Sequence, residues 1–207
     1  LTIPSSQSQD ETISNSLLFR VQQQDEVAWK RMTMLFLPVV HRWVRTANIP
    51  EHDAGDVVQE VFLSVLQSIG KFHRNEAGDT FRGWLRRITQ FKSIDYHRRK
   101  VNQPNAVGGS DAFQRVHDLP DIPIDDDAQQ DFDEITSRAL ELVREEFEPR
   151  TWAAFHAIVI QQRPASDVAV ENAMSLGAVY VAKSRVLKRL RSELDGLVEE
   201  TERKLLQ

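Results

Sequence analysis

From Asp53 onward, Val57, Val58, Val61, Phe62, Val65, Leu66 and Ile69 recur at spacings of one, three and four residues, which lays a continuous apolar stripe along a helix. The same period governs nearly all of the patterned sequence, and no stretch alternates apolar and polar residues long enough to compete as a strand. An all-α fold is the expectation. Gly70 is the residue type that commonly ends such a helix. A second strong helix starts near Asp79 or Thr80, either able to cap free N–H groups, and puts Phe81, Trp84, Leu85, Ile88 and Phe91 on one side. Two earlier helices span roughly Ile13 to Gln23 and Asp25 to Thr46, with Pro38 expected to kink the latter. These four make a first domain, 13–100, behind a segment 1–12 expected to be disordered.

The helical pattern fails from Val101 to Asp131, where Pro104, Gly108, Gly109, Pro120 and Pro123 break any helix and Asp125, Asp126 and Asp127 repel one another. A loop that long is unusual inside one compact domain, so 101–131 reads as a flexible acidic linker. Apolar positions resume at Phe132 and continue through Leu140, Val143, Phe147, Trp152, Phe155, Ile158 and Val159, giving a second small helical domain over 132–207. The longest apolar run, Leu35 to Val40, contains a proline and is far shorter than the roughly 20 residues of a membrane span. The first residues lack the basic segment and apolar core of a secretory leader. With no cysteine in the chain there is no disulfide or thiolate chemistry, which fits a reducing compartment. A cytoplasmic location, without a membrane, is expected.

A net charge of −5 argues against a nucleic-acid partner only until the charges are placed along the chain. Residues 29–100 hold 13 Lys/Arg against 7 Asp/Glu, 101–148 hold 3 against 13, and 149–194 hold 7 against 3. Two basic blocks flank an acidic one. In the second block, from Arg163 to Leu194, a short helix with Val168 and Ala169 inward is followed by a turn at Ala173–Met174–Ser175–Leu176. A longer helix follows, with Val179, Ala182, Val186 and Leu190 inward. That is the plan of a helix-turn-helix. The N-terminal part of its second helix would enter the major groove, so Ala178, Tyr180, Val181, Lys183, Ser184 and Arg185 are placed for base edges and Arg189 and Arg191 for phosphates. An ordinary helical hairpin with a solvated basic face is the plainer alternative.

In the first block, Phe72 to Lys100 interleaves Arg82, Arg86, Arg87, Lys92, Arg98, Arg99 and Lys100 with Phe81, Trp84, Phe91 and Tyr96. Cations for phosphates and flat rings for unpaired bases are what single-stranded DNA requires. The spacing of Phe81 and Trp84 also fits plain core, which leaves the polar loop His73 to Asp79 as the better place for an extruded base. Asp53, Asp56, Gln59 and Glu60 lie opposite the valine stripe as a solvated or protein-binding face. A carboxylate metal site there lacks a His at i+3 or i+4. No H-x-x-x-H pair and no glycine-rich phosphate loop occurs, so no catalytic site, metal or cofactor is expected.

Asp53-Ala-Gly-Asp-Val-Val-Gln-Glu-Val-Phe62, Phe81-Arg-Gly-Trp-Leu-Arg-Arg-Ile88 and Asp95-Tyr96 with its basic tail together resemble region two of extracytoplasmic-function sigma factors of bacterial RNA polymerase. Phe147-Glu-Pro-Arg-Thr-Trp152 and Met174 to Arg185 resemble region four, in the version of planctomycete-type members. The resemblance covers about 20–100 and 130–195 in the family's order. It implies that Asp56, Gln59, Glu60 and Leu63 dock on core RNA polymerase. His73, Arg74, Asn75 and Glu76 would capture a flipped minus-10 base, with Arg87, Lys92, Arg98 and Arg99 along the non-template strand. The helix from Leu176 would read the minus-35 duplex. It further implies a monomer within the holoenzyme, an acidic linker threading toward the polymerase cleft and RNA exit path, and an anti-sigma factor as a candidate further partner.

Six positions depart from the family. Phe91 stands where many members carry an asparagine that contacts the minus-10 element, and Asn172 and Ala173 replace the leucine and glycine usual at the helix-turn-helix corner. An inward Asn needs a hydrogen bond or solvent, and Ala in a left-handed turn is strained. Tyr180, Val181 and Ala182 replace a more basic stretch, which moves readout toward thymine methyls. The rival readings are a dimeric helix-turn-helix regulator acting without polymerase and a helical metal-carboxylate enzyme using Asp53, Asp56 and Glu60.

Overall fold

The structure, a computed structural model, describes residues 16–73, 80–101 and 128–198. Among them are eight α-helices and no strand: α1 (Leu17–Gln22), α2 (Glu26–Thr46), α3 (Glu51–Ser68), α4 (Phe81–Val101), α5 (Ala128–Arg144), α6 (Pro149–Val159), α7 (Ala165–Glu171) and α8 (Leu176–Leu194). A 3-10 turn at Ile69–Lys71 follows α3. None of these helices is long and apolar enough to cross a membrane. The expected disordered segment 1–12, most of the acidic linker and the tail beyond 198 lie outside the described residues.

Local chemistry explains the boundaries. Asp25 caps α2 by accepting from the Val27 and Ala28 amides at 2.9 and 3.1 Å, which satisfies N–H groups with no partner inside the helix. Pro38 lies inside α2, which stays helical through it. At the start of α4 the capping residue is Thr80, whose hydroxyl accepts from the Gly83 amide at 3.0 Å. Pro149 opens α6 at the position where its missing N–H costs nothing.

The valine stripe of α3 is buried at Val57, Val58, Val61, Phe62, Val65 and Ile69, as the spacing predicts. Leu66 is the exception: it is 45 % exposed, because it sits three residues beyond Leu63 in the outward row beside the stripe. Phe81, Leu85 and Ile88 of α4 are buried, whereas Trp84 and Phe91 are half-buried. Phe81 is the hub of an aromatic cluster, with ring centroids 5.1 Å from Phe36, 6.0 Å from Phe72 and 5.6 Å from Trp84.

The halves on either side of the linker meet along one continuous core, in which Phe132, Ile135, Ala139 and Val143 of α5 and Val186, Leu190 and Leu194 of α8 join Trp43, Leu35 and Phe81. Helix α5 begins at Ala128, four residues before the apolar pattern resumes, and Asp131 in its first turn is buried. That carboxylate accepts from Trp43 Nε1 at 3.0 Å, Arg42 at 2.6 Å and Arg82 at 3.0 Å. Beyond α8 the chain turns at Gly196, whose φ of +75° is left-handed. The carbonyls of Gly196 and Leu197 accept from the amides of Phe81 and Arg82 at 3.2 and 3.0 Å, so the second half completes the N-terminus of α4. A smaller core of Ala154, Ala157, Val168, Ala169, Val179 and Ala182 holds α6, α7 and the start of α8 together.

Phe81→Ala removes the hub of the aromatic cluster from a fully enclosed site, and is expected to lower unfolding stability by about 3–5 kcal/mol in a urea titration. A loss under about 1 kcal/mol would show that the cluster is not where the first half is held together.

Candidate functional site

Three surfaces carry the residues singled out in the sequence. On α3, Asp56, Gln59 and Leu63 fall at i, i+3 and i+7 and are exposed, with Leu63 at 57 %. Leu66 extends the same row. Such a face, two carbons-rich side chains beside an acid and an amide, is suited to a protein partner more than to solvent alone. Glu60 is on its edge and is engaged elsewhere: Arg99 donates to both of its oxygens at 2.9 and 3.1 Å, and Lys92 Nζ is 3.9 Å away.

Helix α4 carries the second surface. Arg87 is exposed, and Arg98 is exposed beside Asp95 at 3.1 Å. Arg82, counted with the basic groove in the sequence, is buried against Asp131 and turned away from the outer face. Trp84 packs against Phe72 at 5.0 Å between centroids, in keeping with its core spacing. Of the loop expected to capture a base, His73 is exposed and its Nδ1 lies 2.8 Å from the Lys71 carbonyl, while Arg74, Asn75 and Glu76 lie outside the described residues.

The acid row of α3 and the basic row of α4 are thus one seam. Asp53 accepts from the Tyr96 hydroxyl and pairs with Lys100 at 3.1 Å, and these contacts hold its carboxyl below the ordinary carboxylate range. The same hydrogen bond raises the Tyr96 phenol. With Asp53 and Glu60 each taken by cations, no group of three His, Cys, Asp or Glu among the described residues is placed to hold a metal.

The third surface is built by α7, its turn and α8. Asn172 ends α7, and its side-chain amide donates to the Val168 carbonyl at 2.9 Å, which satisfies the polar group that the sequence left in question. Ala173 has a φ of +48°, the left-handed conformation that costs a residue with a Cβ about 1–2 kcal/mol. Arg150 of α6 braces this corner: its Nε donates to the Asn172 carbonyl at 2.8 Å and its terminal nitrogen to the Ala173 carbonyl. Ser175 caps α8 by accepting from the Ala178 amide at 3.1 Å.

On α8, Tyr180, Val181, Ser184 and Arg185 are exposed, and Ala178 and Lys183 are half-buried at the margin. Lys188, which the sequence reading passed over, is exposed and continues the row Val181, Arg185, Lys188 at i, i+4, i+7. Helical spacing alone identifies it. Arg189 lies on the other side of the helix: it donates to Glu146 at 2.6 and 2.9 Å and to Glu193 at 2.6 Å.

Two consequences are measurable. Ala173→Gly relieves the left-handed corner and is expected to raise unfolding stability by about 1 kcal/mol, with no gain if the corner is unstrained. Because the Asp53 carboxyl is depressed in the folded chain, its contribution is complete above the ordinary carboxylate range and disappears as pH falls through the folded value. Asp53→Asn should therefore be less stable than the parent near neutrality and equal to it in strong acid. A gap independent of pH would contradict that linkage.

Comparison with known proteins gives this geometry a family context. The family model for Sigma-70 region 2 matches residues 32–102, which takes in most of α2, all of α3 and all of α4. The chain is 33% identical over 73 residues to the ECF RNA polymerase sigma factor SigE of Mycolicibacterium smegmatis, a match covering 35% of this chain and 27% of that protein. It is 24% identical over 194 residues to the RNA polymerase sigma factor NccH of Alcaligenes xylosoxydans xylosoxydans, covering 93% of this chain and 98% of that protein. Residues 32–102 match the Sigma-70 region 2 model, and both of these relatives are named RNA polymerase sigma factors.

Proposed function

We propose that this chain is a regulatory subunit, not an enzyme in its own right, that binds core RNA polymerase and directs promoter-specific initiation by recognising minus-10 and minus-35 elements. The observation that carries the reading is the Sigma-70 region 2 match over 32–102, because the helices it covers bear both the exposed α3 face and the cations of α4. Asp56, Gln59 and Leu63, joined by Leu66, are the polymerase-docking face, with Glu60 at its margin. The loop from His73 to Glu76 captures a minus-10 base, and Arg87, Lys92, Arg98 and Arg99 follow the non-template strand. Lys92 and Arg99 exchange Glu60 for phosphate when DNA arrives.

Helices α7 and α8 form the helix-turn-helix, of the planctomycete type, that reads the minus-35 duplex. What supports this is the capped turn at Ser175 and an exposed row that runs from apolar Tyr180 and Val181 to cationic Arg185 and Lys188. The acidic stretch between α4 and α5, 102–127, threads the polymerase cleft as a nucleic-acid mimic. The chain acts in the cytoplasm as a monomer within the holoenzyme, and an anti-sigma factor is a candidate further partner.

Mixing the chain with core polymerase on a promoter template is expected to yield a specific run-off transcript that neither component makes alone. Palindromic operator binding by a dimer, with no transcript, would instead favour a conventional regulator. Within the active holoenzyme, Arg185→Ala should cost about 1–3 kcal/mol and relax minus-35 specificity, whereas Lys188→Ala should weaken all promoters alike and flatten the salt dependence. Equal, sequence-independent losses from both would remove α8 from the reading role.

A further inference from the structure

We propose that Arg150 is a positioning residue for the minus-35 reader: it does the work of the glycine that a left-handed corner ordinarily takes, and so sets the angle at which α8 meets the duplex. The proposal rests on the reading of α7 and α8 given above. In the motif at 147–152, Pro149 opens α6, while Phe147 and Trp152 pack against the larger core, with the Trp152 ring centroid 5.2 Å from that of Phe155. The start of α6 is therefore a fixed base. Arg150 projects from it to the exposed surface, and both of its hydrogen bonds go to main-chain carbonyls.

Two hydrogen bonds close the end of α7. The Met174 N–H donates to the Ala169 carbonyl at 2.8 Å and the Ala173 N–H to the Val170 carbonyl at 3.1 Å, a pattern that puts the residue at 173 in the left-handed conformation. It leaves the carbonyls of Asn172 and Ala173 outside the helical ladder. These are the two that Arg150 takes, with Nε on Asn172 at 2.8 Å and a terminal nitrogen on Ala173. They belong to the peptide planes on either side of the Ala173 Cα, so one rigid guanidinium fixes both φ and ψ of the strained residue. A glycine would hold the same conformation unaided.

Packing alone holds α8 on α7 loosely. The core shared by α6, α7 and the start of α8 is four alanines and two valines, small side chains that each bury little apolar area. Residues 172–175 join the two helices, and Ser175 is already committed to capping α8. A change in the Ala173 dihedrals therefore turns α8 as a unit, and with it Tyr180, Val181, Ser184 and Arg185, which are exposed near its start. Hydrogen bonds to base edges are strict in distance and direction, so a tilted helix loses sequence discrimination before it loses its attraction for phosphates.

The full chain is assembled with core polymerase, and a promoter is selected from a template library randomised over the minus-35 element. Run-off from that promoter is compared with run-off from the same template carrying a scrambled element. At equal folded content and equal binding to core polymerase, Arg150→Ala is expected to lower the ratio of the two about tenfold, the order of the left-handed penalty. Adding Ala173→Gly to Arg150→Ala is expected to restore the parental ratio, because the corner no longer needs its brace. Arg150→Lys, which keeps the charge but not the planar fork, is expected to fall short of the parent. An Arg150→Ala ratio equal to the parent's, a double variant no better than Arg150→Ala, or a lysine variant equal to the parent each overturns the positioning role while leaving the minus-35 reading in place. Where Arg150→Ala does not fold, Arg150→Gln, which retains a donor without the fork, is compared with its own Ala173→Gly double by the same criteria. A parent chain that makes product but selects no minus-35 sequence overturns the reading of α8 and this proposal with it, and a parent chain that makes no product overturns the sigma-factor reading itself.

Discussion

A carboxylate taken out of water is costly unless every lone pair finds a strong donor, and Asp131 finds three in Trp43, Arg42 and Arg82. Around that one group the two halves of the chain fit together. Helix α5 is anchored on α2 and α4 at its first turn, its later residues Ala139 and Val143 bury against α8, and α8 in turn sends Gly196 and Leu197 back to complete the start of α4. Losing the carboxylate would take the acceptor from the Trp43 indole N–H and remove a buried counter-charge shared by Arg42 and Arg82.

The same economy of charge shapes the outer surfaces. The acid row of α3 and the basic row of α4 neutralise each other through Asp53 with Lys100 and Glu60 with Arg99, which leaves Asp56, Gln59, Leu63 and Leu66 as the outward face. Arg150 performs a comparable task on the far side, holding a left-handed alanine in a turn that would otherwise relax. Interactions of this kind are local in space and remote in sequence. The net charge of −5 comes from the acids concentrated in 101–148, which leaves Arg87, Arg98, Arg185 and Lys188 exposed on the basic blocks to either side.

Much of the architecture was legible because helical periodicity is a short-range signal. The valine stripe of α3, the Phe81–Leu85–Ile88 face of α4 and the inward Val179, Ala182, Val186 and Leu190 of α8 are buried as their spacing requires. The strain at Ala173 and the need of Asn172 for a partner were also readable, since both follow from the residue type at a turn. Charge was not legible in the same way. Asp131 ends a run of acids and looks like linker, yet it is buried because its partners stand 88, 89 and 49 residues away. Arg82 and Arg189 look like free cations for the same reason. Leu66 was assigned to the stripe because a helix drifts slowly enough for a neighbouring row to mimic it.

The Phe81 and Arg82 amides open a helix and would ordinarily exchange with solvent quickly, but here they donate to carbonyls from the other end of the chain. Residue-resolved amide hydrogen exchange on the free chain is therefore the most direct test that the two halves form one body. Protection of these two amides, lost when Asp131 is replaced by alanine, is the expected result. Rapid exchange at both positions in the unmodified chain, with the rest of α4 protected, would contradict it.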